Sequence, residues 1–133
     1  MNLNPHGAQD VEQVAAGLLS CAITAAHDLA DLAVQDDRYD QLAALAAAAY
    51  ASQASCYLPL SDASPADMDG GIGHHDLIHR VDAVADALDE LGRSSTDLRE
   101  MRDHHTAALH ARNAAIALRN ALPVEEGADD AAG

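Results

Sequence analysis

Histidine offers this chain its most promising chemistry. His75 and His79 stand four apart in a helical stretch, so they share a face and could present two imidazoles to a metal ion. A hairpin turning near Ser94 would bring His110 to the same height and complete a candidate three-histidine site. On a helical wheel His75 and His79 fall in line with Asp82 and Asp86, opposite the apolar seam of Leu77, Val81 and Val84. That position reads first as a solvated polar stripe, with a weak or intermolecular metal site as the alternative. His74 and His105 fall at core-facing positions, where a satisfied buried imidazole is commoner than a ligand. With eight histidines, the net charge should rise by several units between about pH 7.5 and 5.5, easing self-repulsion.

Other sites lack their parts. A di-iron bundle needs two Glu-x-x-His motifs, and the one Glu in helical register with a His is Glu100, four before His104. Asp67 and Asp69 before Gly70 open like a calcium loop, but Ile78 stands where the bidentate Glu is needed. No Ser-His-Asp order, phosphate-binding glycine loop or paired-cysteine motif is present. Cys21 and Cys56 fall on separate helices and read as two reduced, packed thiols. The expectation is a chain without a cofactor and, more simply, without enzymatic activity.

One pattern points to catalysis. Arg99 is followed by His104 after a spacer of four residues and by His105 after five, all on one helix. This spacing resembles the Arg-spacer-His motif of the helical ribonucleases of the HEPN class. The resemblance implies that Arg99 with His104 or His105 would activate a ribose hydroxyl and stabilise charge at a dimer interface. It covers those residues alone, and Glu100 stands where such motifs usually place a polar amide.

Composition limits the partners. Twenty-two acidic residues face seven arginines and no lysine, for a net charge of −15 with neutral histidine, so no basic stripe is available for phosphates. A basic protein partner fits better than direct nucleic-acid binding, and an acidic decoy of a nucleic-acid-binding protein is a further reading. The N-terminus shows no basic segment followed by an apolar run, and no uncharged stretch reaches the roughly 18 residues of a membrane span, so a cytoplasmic location without membrane contact is expected.

The elements that must position these residues are helices. Apolar residues recur at helical spacing from Gln9 to Val34 (Val11, Val14, Leu18, Ala22, Ala25, Leu29, Leu32), with Asn4-Pro5 as a cap and first turn. A second helix is predicted from Asp37 to Tyr57, with Tyr39, Leu42, Ala46, Ala49, Tyr50, Gln53 and Tyr57 on its stripe. Pro59 to Gly73 breaks both flanking patterns and reads as a long connecting loop. A third helix runs from His74 to Leu91, with Gly92 as its C-terminal cap. Asp97 with Glu100 reads as a capping box that opens a fourth helix, which Pro123 stops after Leu122. The predicted fold is an all-α, antiparallel four-helix bundle over residues 1–123, with a disordered acidic tail over 124–133.

Such a bundle would have a thin core, because Phe and Trp are absent and alanine is abundant. Extra burial by self-association is therefore expected. Helix 4 shows two stripes, Leu98, His105, Leu109 and Ile116 on one and His104, Ala108, Ala111, Ala115, Leu118 and Leu122 on the other, with Arg112 and Arg119 between them reaching for nearby acids. Small residues let helix backbones approach closely, so Ala108, Ala111, Ala115 and Leu118, with Ala48 of the almost uncharged helix 2, are the candidate homodimer seam. The sequence thus reads as a non-enzymatic, self-associating acidic interaction protein.

Overall fold

The helical recurrence of apolar residues becomes four α-helices and, among the described residues, no strand. The computed structural model describes residues 5–58 and 73–123, with the backbone alone for 5–10. The helices are α1 (Pro5–Gln35), α2 (Gln41–Cys56), α3 (His74–Ser94) and α4 (Leu98–Ala121). The cap expected at Asn4, the loop expected over 59–72 and the acidic tail expected from Val124 lie outside the described residues.

Local chemistry moves several predicted boundaries. α2 starts at Gln41 and not at Asp37, because Asp36 to Arg38 is used as a turn. The Arg38 backbone N–H donates to Asp36 Oδ1 at 3.0 Å and its guanidinium to Asp36 Oδ2 at 2.7 Å. Asp40 then caps α2, its Oδ1 accepting from the Ala43 N–H at 3.1 Å. The Asp40 N–H donates to the carbonyl of Ala121 at 3.0 Å, which ties the start of α2 to the end of α4. Gly92 does not cap α3, which continues through it to Ser94. The capping box is also not reciprocal. Asp97 Oδ1 accepts from the Arg99 N–H at 2.9 Å, whereas Glu100 accepts the Ser95 hydroxyl at 3.3 Å.

α1 packs on α2 and α3, and α4 packs on the same two helices. α1 and α4 touch lightly across the centre, while α2 and α3 do not meet, an arrangement compatible with a bundle. The two adjacent pairs α1–α3 and α2–α4 supply different material. α1 and α3 bring Leu18, Leu19, Leu29, Leu77, Ile78, Val81 and Leu88 to the core. α2 and α4 bring mostly alanine: Ala44, Ala47, Ala51 and Ala54 from one, Ala107, Ala111, Ala114 and Ala121 from the other. Alanine loses no rotamer freedom on burial and permits close axes, so the thin core is matched by close helix pairs.

This use of alanine corrects the stripe expected on helix 2. Leu42 is 79% exposed and Ala49 and Gln53 are exposed as well, while the alanine side faces the core. Leucines on the inner side would hold α2 away from α1 and α4. The same reason reassigns the candidate seam. Ala48, Ala108, Ala111, Ala115 and Leu118 are all buried within the chain's own core, where a second copy cannot reach them. It is the large-residue stripe of α4, Leu98, Leu109 and Ile116, that remains exposed.

By length and composition alone, α1 is apolar enough over Val11–Gln35 to cross a membrane. A core helix has the same property, and Ala15, Leu19, Ala22, Ala26 and Leu29 of this stretch are packed inside the fold.

Candidate functional site

Among the described residues, His104 is the one buried polar side chain, 7% exposed and set in the light α1–α4 contact. Its Nε2–H donates to Glu12 Oε2 at 2.7 Å, joining residues 92 apart in the chain. The other ring nitrogen, Nδ1, is buried with no hydrogen-bond partner. Satisfying one nitrogen and not the other positions a helix without offering a base to substrate.

A second polar group clips α3 to α4. The His105 Nδ1–H donates to Asp89 Oδ1 at 2.8 Å, and Arg112 Nη2 donates to Asp89 Oδ2 at 3.1 Å and to Asp86 Oδ1 at 2.8 Å. Burial raises the Asp89 pKa, but the hydrogen bonds from His105 and Arg112, with their charges, outweigh it and hold the carboxyl below its usual range. The hydrogen bond to Asp86 holds the Arg112 guanidinium above its ordinary value, against a smaller burial effect, so it stays charged. His105 is thereby partly exposed at the α3–α4 edge and not core-facing, and the ring edge bearing its Nε2 lies over Gly92. A methyl added to Gly92 would sit 2.8 Å from that nitrogen. The dyad resembles an oriented general base, yet its free nitrogen is pressed against backbone.

His110 faces the other way. It stacks on Tyr50 and Tyr57 of α2, with ring centroids 6.4 and 6.0 Å away and planes inclined by 24° and 20°. α2 does not meet α3, so His110 is not brought to His75 and His79, which remain exposed on α3, while His74 is half-buried. Among the described residues, no group of three His, Cys, Asp or Glu could hold a metal ion. Arg99 is exposed on the first turn of α4. At 100° per residue it points about 140° away from His104 and about 120° from His105, so the ribonuclease-like pair is not assembled within one chain. Cys21 is half-buried, and Cys56 is exposed on α2 and not packed inside.

Besides the exposed α4 stripe of Leu98, Leu109 and Ile116, two apolar surfaces remain. A groove of about 470 Å³ opens between α1 and α3, lined by Val11, Val14, Leu18, Ala83, Val84 and Ala87, with Arg80 beside it. The other is the outer side of α2, where Leu42, Leu45, Ala49, Ser52 and Cys56 are exposed. The 16 residues of α2 include no Asp, Glu, Lys, Arg or His. Sequence reasoning found the low charge of α2 but placed its free surface on the alanine side. It missed Glu12 with His104 and Asp89 with His105, because neither pair has a local spacing signal. Comparison with protein-family models, curated proteins and solved structures returns no match.

Proposed function

We propose that this chain is a non-enzymatic, acidic helical interaction protein of the cytoplasm, that it self-associates, and that its helices form an antiparallel bundle. Contact order supports the antiparallel course. Asp86 and Asp89 meet Arg112, while Asp89 and Gly92 meet His105, so positions on α4 fall as those on α3 rise. Likewise, Asp40 at the start of α2 bonds Ala121, and Tyr57 just past its end stacks on His110.

The observation that carries self-association is the charge-free outer side of α2, with Leu42 79% exposed in a chain of net charge −15. Leucines left in water on a neutral surface gain by being covered, at about 25 cal/mol per Å². The acidic surface elsewhere suits a basic protein partner. Catalytic readings draw less support, since His104 and His105 are both engaged in internal pairs. The acidic-decoy reading rests on charge alone.

Analytical ultracentrifugation tests the proposal. The wild-type chain is expected to sediment as a dimer at micromolar concentration, and Leu42→Glu as a folded monomer with unchanged helical circular dichroism. A wild-type chain that stays monomeric up to hundreds of micromolar would remove the reading.

A further inference from the structure

We infer that the occupant of the outer side of α2 is a second α2, laid antiparallel so that Leu45 packs on Ala49 and Leu42 on Ser52 of the other copy. This rests on the self-association proposed above and assigns it a surface and a register. Leu42, Leu45, Ala49, Ser52 and Cys56 recur at steps of three and four and are exposed along one side of the helix. That is the spacing of a two-helix seam, in which each side chain enters a gap on the facing helix.

Charge selects a second copy as the occupant. Two chains of −15 repel, and the repulsion is least where the facing surfaces carry no charge. α2 is the one helix of the four without an acidic or basic residue. A strongly basic partner would gain nothing there and would be drawn to the acidic helices instead. For a second copy, pairing through α2 brings no helix carboxylates together, and Asp40 falls at the rim, in water.

Size then sets the direction. The two large residues of the seam, Leu42 and Leu45, lie toward the start of α2, and the smaller Ala49, Ser52 and Cys56 toward its end. A parallel pair would stack leucine on leucine at one end and leave small residues facing across a gap at the other. Antiparallel pairing places each leucine over a small residue, giving four layers related by a two-fold axis between Leu45 and Ala49. The helix is about 24 Å long at 1.5 Å per residue, so the interface belongs at the small end of specific contacts. In this register Cys56 of one copy lies roughly 27 Å from Cys56 of the other, far outside disulfide reach.

The test is a charge exchange read by sedimentation equilibrium on the full chain, with circular dichroism to confirm that each variant is folded. Leu42→Glu is expected to raise the dimer dissociation constant at least about 100-fold, because a carboxylate is buried without a partner. Adding Ser52→Lys should return it to within about tenfold of wild type, since the introduced carboxylate of each copy then meets the introduced ammonium of the other, twice across the two-fold. Mild oxidation of the wild-type dimer should yield no Cys56–Cys56 cross-link. A wild-type dimer with no recovery in the double variant, or with ready Cys56 cross-linking, overturns the antiparallel pairing while leaving self-association intact. A wild-type monomer overturns both.

Discussion

At the scale of single residues, Gly92 and His105 show how one missing side chain decides a contact. The imidazole occupies the space a Cβ on residue 92 would need, at 2.8–3.0 Å, and it is held there by Asp89. Gly92→Ala therefore pushes the ring off both Gly92 and its carboxylate, with an expected loss of about 1–3 kcal/mol in urea unfolding. The same change in a His105→Ala background meets no ring and should be stabilising by about 0.5–1 kcal/mol, as alanine is the better helix former. A substitution that destabilised equally in both backgrounds would show that the ring is not the obstacle. Asp89 carries a pH dependence of defined sign. Its carboxyl is held below its usual range in the folded state, so its stabilising increment is present above the unfolded value of about 3.9 and is lost as pH falls through the folded value. Asp89→Asn should thus cost stability at pH 7, and its deficit against wild type should shrink as acid is added. A deficit that stays constant down to about pH 3, below the unfolded value, would detach Asp89 from the acid transition.

At the scale of helices, legibility followed side-chain size. α3 was readable because Leu77, Val81, Val84 and Leu88 are both the large residues and the buried ones. In α1 the same recurrence located the core through Leu18, Ala22 and Leu29, with Val14 and Leu32 left exposed at its edges. α2 inverted the rule. A periodicity count gives Leu42 and Tyr50 more weight than Ala44 or Ala47, whereas a close helix pair excludes bulk and selects the alanines. α4 repeats the inversion, burying Ala107, Ala111 and Ala114 and exposing Leu98, Leu109 and Ile116. The reach of Arg112 toward acids was foreseeable from its position between stripes, and Asp86 and Asp89 receive it. Glu12 with His104 was not, because a pair 92 residues apart depends on how helices are arranged and not on spacing within any one of them.

At the scale of the whole molecule, the chain separates two kinds of alanine surface that look alike in sequence. The inner surface joins α2 and α4 to the rest of the fold; the outer surface of α2 is charge-free and open. Ala111 belongs to the first, fully buried in α4, and Leu42 to the second. Folding leaves a net stability of only about 5–15 kcal/mol in a domain of ordinary size. A glutamate at residue 111 puts a carboxyl group into a fully packed alanine site, so it must be desolvated there or overpack the core, at several kcal/mol either way. Ala111→Glu is accordingly expected to abolish the cooperative thermal transition and most of the helical signal, and not merely to separate two copies. Leu42→Glu should keep both the signal and the transition while the sedimentation coefficient falls to that of a monomer. Circular dichroism melts of the two variants at equal concentration distinguish the surfaces directly. A folded, monomeric Ala111→Glu chain would mean that this side of α4 faces water, and the division between inner and outer alanine would then fail.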